Sequence, residues 1–400
     1  MKPPSGSIKP QPSPGRGFFD VADRGMNHVE TSEAMGAGHP DKVADLISDT
    51  ILDACLTEYP ASRVGCEVMV KGGTVIVAGE ITTAAKLNID HLVRQAVREA
   101  GYRTAEDDPV FNAESLSIIN LLTQQSGDIA LGVNAPEQGA GDQGIMYGYA
   151  CSDTPELMPM PIALASLLMR ELDAVRPTIE WMRPDSKCQV SVEYDEGGHP
   201  LRVSDVVLST QHAPFVNADK IRAWCDDFIR KTLPADMVDD GTRIVINPTG
   251  RFVIGGPQAD CGLTGRKIIA DTYGGIGRHG GGAFSGKDCS KVDRSGAYMC
   301  RWVAKHIVAA GLAKRCSVQV SYAIGKAEPV SMRIETDASG DAEAISRKAQ
   351  DVFSFRPADI ERELGLRAPI FRGTTNYGHF GKADLPWEQL RPDYLARLAE

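Results

Sequence analysis

The sequence predicts an α+β fold built from three similar subdomains, each containing a helix, a β-hairpin and a second helix. Units with this order of elements start near residues 40, 157 and 290. Their residues do not match one another, yet the change from helical to strand periodicity recurs each time. The chain has 400 residues, 42% of them hydrophobic, which is ample for such units. Each unit is expected to cover one face of a sheet with its helices.

The first unit opens with a helix predicted over Pro40–Tyr59, since proline is favoured in the first turn of a helix. Its apolar stripe consists of Val43, Leu46, Ile47, Ile51, Leu52 and Cys55. Strands are predicted over Cys66–Val70 and Thr74–Ile81, because Lys71-Gly72-Gly73 between them is typical of a hairpin turn. A second helix is predicted over Ile89–Ala100.

The second and third units repeat this order. The predicted elements of the second are a helix at Leu157–Arg176, strands at Cys188–Tyr194 and Leu201–Thr210, and a helix at Val216–Thr232. Those of the third are a helix at Ser290–Ala310, strands at Cys316–Ile324 and Val330–Thr336, and a helix at Ala342–Phe353. The aromatic residues of the tail, Tyr377, His379, Phe380 and Trp387, are interpreted as packing in the core or between subunits.

Composition excludes several classes of function. A net charge of −10 at pH 7 argues against a general binder of nucleic acid or of anionic membranes. No apolar run approaches the 18 residues of a membrane span. The nine cysteines form no CxxC pair, which favours a reducing compartment over a zinc site or a disulfide framework. Residues 1–26, rich in Pro, Gly and Ser, are interpreted as a disordered N-terminal extension rather than a signal peptide.

The segment from Gly280 to Arg301 carries the clearest chemical signal. Three glycines lead to Lys287, and a helical pattern follows that ends at Gly311, a residue suited to a helix stop. Ser290 is spaced like an N-cap for this helix. A glycine loop that runs into a helix N-terminus exposes backbone N–H groups and favours anions. Carboxylates among the lysines indicate that a metal arrives with a phosphate.

Residues 281–287 also fit the G-x-x-x-x-G-K core of a P-loop. Position 288 is Asp, however, where a P-loop has the Ser or Thr that binds magnesium. We therefore predict a polyphosphate cradle and not a Walker site. A glycine-rich surface loop before an ordinary helix is the alternative.

A long polar loop, Thr123–Gly141, separates the first unit from the second. Loops of this length in compact domains are usually functional or disordered, so a mobile lid is predicted over 127–139. The predicted subdomains are then 27–126, 140–255 and 256–400.

Ordered motifs link these units. They are GHPDK at 38–42, GAGDQG at 139–144, NPTGRFVIGGP at 247–257, DCGLTGRK at 260–267, DTYGG at 271–275, GGGAFSGKD at 280–288 and YGHFG at 377–381. From about Glu30 to the C-terminus the set closely resembles the S-adenosylmethionine synthetase (methionine adenosyltransferase) family. The resemblance implies three α+β subdomains in a pseudo-threefold arrangement, which agrees with the repeated units.

The resemblance also implies a reaction. The sulfur of methionine attacks C5′ of ATP and expels the whole triphosphate, which is then cleaved to pyrophosphate and phosphate. The implied phosphate-binding residues are Arg266, Lys267, Lys287 and Lys291. His39 is implied to stabilise the leaving oxygen, so His39, Arg266 and Lys287 are the expected catalytic residues. Asp41 and Asp293 are implied to hold two Mg²⁺ per site, and Glu67 to hold K⁺.

Further substrate contacts follow from the same motifs. The residues implied to bind methionine are Glu80, Gln125, Asp260 and Lys291. Those implied to bind the nucleotide, besides His39 and the phosphate-binding cations Arg266, Lys267 and Lys287, are Asp142, Asp185, Lys187, Arg251, Phe252, Asp260 and Ala283. The family places two sites between paired subunits, so a cytoplasmic homodimer or homotetramer is expected, without nucleic-acid or membrane partners.

Two departures touch segments beside the site. Gly36-Ala37 stands before GHPDK where the family usually has Ser-Glu, and Gly127 stands where the loop usually has proline. Neither removes a named catalytic residue. A non-catalytic paralogue and a polyphosphate hydrolase are the alternative functions. Retention of His39 and Lys287 argues against the paralogue, and the methionine contacts argue against the hydrolase.

Overall fold

The computed structural model describes residues 27–124, 139–337 and 342–400. Within them lie nine helices: α1 (Pro40–Glu58), α2 (Ile89–Ala100), α3 (Met160–Val175), α4 (Ala218–Thr232), α5 (Gly256–Ala259), α6 (Val292–Ala309), α7 (Ala342–Val352), α8 (Pro357–Glu363) and α9 (Pro392–Ala399). Eleven strands accompany them: β1 (His28–Met35), β2 (Arg63–Lys71), β3 (Thr74–Thr82), β4 (Ser117–Thr123), β5 (Gly144–Cys151), β6 (Met182–Tyr194), β7 (Pro200–His212), β8 (Arg243–Ile246), β9 (Gly262–Leu263), β10 (Arg315–Tyr322) and β11 (Ser331–Thr336).

Three mixed or antiparallel sheets form the framework, with strand orders β4-β3-β2-β9, β1-β6-β7-β8 and β11-β10-β5. Each contains one of the predicted hairpins, β2-β3, β6-β7 or β10-β11, so these three hairpins are confirmed. The α+β class with three subdomains is confirmed as well. All of the predicted helices are present, with ends that differ by a few residues.

Each sheet has one edge strand that comes from a different unit of the chain. Strand β1 pairs with β6 of the central sheet, β5 pairs with β10 of the last sheet, and β9 pairs with β2 of the first. The opening strand of each unit therefore pairs in the sheet of another unit. The first unit contributes a strand to the second, the second to the third, and the third to the first. None of these three strands, nor β4 and β8, was predicted, because each pairs with a partner distant in sequence. The boundaries at 27–126, 140–255 and 256–400 remain a prediction.

Two local predictions were wrong. The helix predicted from Leu157 begins at Met160, because Leu157 has a positive φ of 61° in the preceding turn. Ser290 does not cap α6: the cap position is Lys291, and it makes no side-chain capping bond. Asp293, in the first turn of α6, pairs with Lys287. The stop at Gly311 is confirmed by its φ of 73°.

Two buried helices, α1 and α6, lie at the centre of the larger hydrophobic core, which the first and last sheets share. The central sheet has its own core with α3 and α4. The tail aromatics pack as predicted, with the Trp387 ring stacked 3.9 Å from that of Tyr298. Eight of the nine cysteines are buried and all are free thiols. No helix in the described ranges is long and apolar enough to cross a membrane.

Candidate active site

His39 occupies the N-cap position of α1, directly before Pro40. Its Nδ1 accepts a hydrogen bond from the Asp41 N–H at 3.2 Å, which leaves the ring proton on Nε2, free to donate outward. Burial, and then the nearby Lys267 ammonium, lower the pKa of His39 to about 4. The site therefore holds a neutral imidazole near pH 7.

Asp41 joins α1 to the loop that follows α5. Its Oδ1 accepts the Leu263 N–H at 3.0 Å, and its Oδ2 accepts from the Lys267 ammonium at 2.5 Å. The Arg266 guanidinium lies 3.9 Å from the same carboxylate. Burial acts to raise the pKa of Asp41, but the hydrogen bonds from Lys267 and Leu263 outweigh it and hold the pKa below its usual range. A charged carboxylate thus stands between two cations.

A buried ion cluster lies under this group. The Lys42 ammonium donates to Asp45 at 2.7 Å and to Asp271 at 2.6 Å. Asp45 in turn accepts the Gly265 N–H at 2.8 Å. All three charged side chains are buried. The cluster fixes the backbone next to Arg266, a role that sequence analysis missed.

Lys287 lies on the glycine loop, where its ammonium donates to Asp293 Oδ2 at 2.5 Å. Lys291 donates instead to Asp288 Oδ2, also at 2.5 Å. Asp288 is fully buried and accepts the Val64 N–H at 2.6 Å, so it ties this turn to β2. The two lysines therefore contact different carboxylates.

A cavity of about 280 Å³ opens beside Lys287. Glu67 and Glu80, on β2 and β3, reach it from the sheet, and Ala283 lines it from the glycine loop. Ser285 also lines it, and its buried Oγ has no hydrogen-bond partner among the described residues. The cavity can therefore accept an ammonium group on its acidic side and an anion on its Lys287 side.

The central sheet contributes Asp185 and Lys187 from β6. Asp185 is buried, accepts the Gly256 N–H at 2.8 Å, and has its pKa raised by burial to about 7. Lys187 pairs with Glu33 at 2.5 Å. A Cβ at Gly38 would overlap the Pro184 backbone, and this close approach brings β6 beside His39.

The remaining predicted residues lie on loops. Asp142, Arg251 and Asp260 are exposed, whereas Phe252 is half-buried and its N–H donates to His212 Nε2 at 3.1 Å. Gln125 lies outside the described residues, as do 127–138 of the predicted lid and the predicted N-terminal extension 1–26.

One chain brings the predicted residues into two groups. The first, around α1, comprises His39, Asp41, Arg266 and Lys267, with Asp185 and Lys187 close by. The second, around the cavity, comprises Glu67, Glu80, Ala283, Lys287 and Asp293. The groups meet where the loops touch, because a Cβ at Gly265 would overlap that of Ala283. Across the described parts of the chain, no cluster of three or more His, Cys, Asp or Glu side chains forms a ready metal site.

Sequence analysis missed the buried charges that support both groups. Besides Lys42, Asp45 and Asp271, these are Asp49 and Arg294, which pair with each other at 2.7 Å. A signal was available, since aspartate recurs every fourth residue along α1 at positions 41, 45, 49 and 53. Such spacing places side chains on one side of a helix.

Three interlocked α+β units, with cationic loops set against single carboxylates, suit an enzyme that acts on a polyanionic substrate. Models of the S-adenosylmethionine synthetase N-terminal, central and C-terminal domains match residues 27–127, 137–252 and 254–389. An S-adenosylmethionine synthase of Akkermansia muciniphila is 56% identical over 389 residues, which cover 94% of this chain and 99% of that protein. The chain belongs to the S-adenosylmethionine synthetase family, whose members form S-adenosylmethionine from ATP and methionine.

Proposed function

We propose that the two groups of residues together form the catalytic site of a methionine adenosyltransferase. A lone pair on the methionine sulfur attacks C5′ of ATP, and the C5′–O bond breaks with its electrons passing to tripolyphosphate. Water then cleaves tripolyphosphate to pyrophosphate and phosphate. The observation that carries the proposal is the contact between two cationic loops, of which one lies beside His39 and the other beside the acidic cavity. This chemistry needs a preorganised cage for a large anionic leaving group.

His39 has the geometry of a hydrogen-bond donor to the leaving oxygen. Because Nδ1 accepts the Asp41 N–H, Nε2–H is available to the oxygen that leaves C5′. Arg266, Lys267 and Lys287 then hold the phosphates, as their charges lie on both sides of the contact between the loops. Donors of this kind stabilise charge that develops in the transition state.

The metal-binding residues we propose are Asp41 and Asp293 for Mg²⁺ and Glu67 for K⁺. Each aspartate offers a single carboxylate beside a lysine, and this fits Mg²⁺, which usually takes one or two carboxylates and completes its shell with phosphate and water. Bound there, two Mg²⁺ would neutralise part of the triphosphate charge. Glu67 lies in the cavity next to Glu80, where a monovalent cation would balance the acidic side.

Methionine fits the acidic side of the cavity. Glu80, with Asp260 and Gln125, would bind its ammonium group by charge-assisted hydrogen bonds. Lys291 keeps two ammonium hydrogens beyond the one given to Asp288, so it retains capacity for the methionine carboxylate or a phosphate. Asp142, Asp185, Lys187, Arg251, Phe252 and Ala283 are assigned to the nucleotide.

A homodimer or homotetramer in the cytoplasm completes the proposal. The outer face of the first sheet carries an apolar row across four strands, in which Leu263, Met69, Ile76 and Ile119 are paired neighbours. Leu263 is 37% and Ile119 44% exposed. An exposed apolar sheet face is usually buried against another element or another protein surface. We propose that a second copy of the chain covers this face.

The test of this mechanism is His39→Asn. The variant should lose about 10²–10³-fold in S-adenosylmethionine formation, because one preorganised donor is removed. Hydrolysis of added tripolyphosphate should change far less, since no charge develops on the ribose side in that step. Both rates are measured on the same preparation by product separation and phosphate release. Equal losses in the two reactions would make His39 a general phosphate ligand and overturn its assigned role.

A further inference from the structure

Helix α1 carries aspartates at every fourth position, Asp41, Asp45, Asp49 and Asp53. Four residues advance a helix by about 6 Å and by little more than one turn, so these carboxylates line one side of α1. The first three are buried. We call this row of four side chains the aspartate row.

Each member of the aspartate row accepts backbone N–H groups from a distant segment. Asp41 and Asp45 accept from Leu263 and Gly265, on the loop that carries Arg266. Asp49 accepts from Gly286 at 2.7 Å, on the loop that carries Lys287. Asp53 accepts from residues 371 and 372 at 3.1 and 2.8 Å, in a tail segment that contains none of the proposed site residues. One helix side thus holds both cationic loops.

Asp49 differs from its neighbours in the row because one cation, Arg294, contacts both of its carboxylate oxygens. The Arg294 guanidinium donates to both carboxylate oxygens, at 2.8 and 2.7 Å, and both side chains are buried. Arg294 donates in addition to the Lys287 carbonyl at 3.2 Å. The backbone is therefore held at Gly286 N–H and at Lys287 C=O, directly where the Lys287 side chain departs.

A buried ion pair is a costly way to gain stability, since apolar residues of similar volume often serve as well or better. Apolar residues, however, would leave the Gly286 N–H and the Lys287 carbonyl without partners. We propose that Asp49 and Arg294 are positioning residues, which act on the reaction through Lys287. The inference rests on the proposed role of Lys287 in holding the phosphates.

A double-mutant cycle with Asp49→Asn and Lys287→Met tests this inference. Displacement of a catalytic group by about 1 Å can cost about 10²-fold in rate, and Asp49→Asn alone should approach that loss in kcat. The KM for methionine should change little. If Asp49 acts through Lys287, Asp49→Asn should cost far less in a Lys287→Met background than in the wild type.

Asp53→Asn is the matched control on the same side of α1, and it should keep the wild-type kcat. If Asp49→Asn lowers kcat by the same factor in the wild type and in Lys287→Met, the positioning role is overturned, while Lys287 keeps its proposed role. Full activity of Lys287→Met would instead remove the role proposed for Lys287, so the two failures are distinguishable.

Asp49→Leu with Arg294→Met provides a second variant if Asp49→Asn does not fold. This pair removes both buried charges, but it also leaves the Gly286 N–H and the Lys287 carbonyl without their partners, so a thermal midpoint below that of the wild type is expected. We expect it to fold and to lose kcat as Asp49→Asn does. Wild-type kcat in a folded Asp49→Leu/Arg294→Met protein would show that the pair serves stability alone.

Discussion

In each of the two cationic loops of the site a lysine pairs with an aspartate, but the two pairs differ in their separation along the sequence. Lys267, on residues 261–267, pairs with Asp41, 226 positions away. Lys287, on residues 280–287, pairs with Asp293, only six positions away. We name these segments the Arg266 loop and the Lys287 loop. Helix α1 holds the backbone of both, but it holds a lysine side chain only in the Arg266 loop.

The Lys287 loop depends on close backbone packing at its glycines. A Cβ at Gly280 would overlap the Ile145 carbonyl, and one at Gly286 would overlap the Cys66 carbonyl. The Arg266 loop depends more on charge, because Arg266 and Lys267 converge on one carboxylate of α1. The difference teaches that a short-range motif and a long-range ion pair can place equivalent charges. Steric changes should damage the Lys287 loop most. A change where the two loops touch, at Gly265, should disturb both.

The largest effect is expected from Gly286→Ala. Gly286 has φ +80°, and its added Cβ would meet the Cys66 carbonyl oxygen, so the loop must move. We expect a loss of at least about 10²-fold in kcat, since Lys287 is the next residue. Steady-state rates at saturating ATP and methionine measure it.

Gly281→Ala is its control, because φ is +95° but nothing lies within 4 Å of the added Cβ. Only the left-handed backbone is penalised there, by about 1–2 kcal/mol. A loss for Gly281→Ala as large as that for Gly286→Ala would show that backbone strain, not the close approach, governs the loop.

An intermediate effect is expected from Gly265→Ala, which acts where the two loops touch. Its Cβ would overlap that of Ala283, and its φ is +72°. We expect about a 10-fold loss in kcat/KM for ATP, of the order that about 1–2 kcal/mol of left-handed strain and crowding produces. Adding Ala283→Gly should recover part of the loss, because the overlap disappears while the strain stays. A double variant no better than Gly265→Ala would mean that the loops do not crowd each other.

The smallest effect is expected at Asp53, which holds neither loop. Burial raises the pKa of Asp53 to about 6, against about 3.9 in an unfolded chain. Its contribution to stability is therefore full below pH 4 and is lost as pH rises through 6. Asp53→Asn should gain stability relative to wild type between pH 4 and pH 7, by at most about 3 kcal/mol. Denaturant unfolding at both pH values measures the difference; a constant difference would contradict the raised pKa.

The residue pair Gly36 and Ser186 shows why one departure from the family pattern was hard to judge from sequence. A Cβ at Gly36 would overlap the Ser186 Oγ, which lies on β6. The glycine is thus matched to a residue 150 positions away in number. No local pattern around Gly36 contains that information.

Local sequence was sufficient for the hairpins β2-β3, β6-β7 and β10-β11, because the connections between their strands have eight residues or fewer and close at small entropic cost. It also indicated the Lys287 loop as a glycine-rich segment that leads into a helix, although the N-cap predicted at Ser290 was wrong. The family motifs then led to residues such as Asp41 and Lys267, although nothing local to either predicts their contact.

Tertiary structure alone decided which sheet receives β1, β5 and β9, since an edge strand pairs with whichever edge the packed units leave open. It also decided the partners of Asp45 and Asp49. A buried carboxylate needs hydrogen-bond donors, and those donors are backbone N–H groups more than 200 residues away. Such partners become neighbours only when α1 packs between the loops, and for this physical reason the aspartate row could not be interpreted from the sequence.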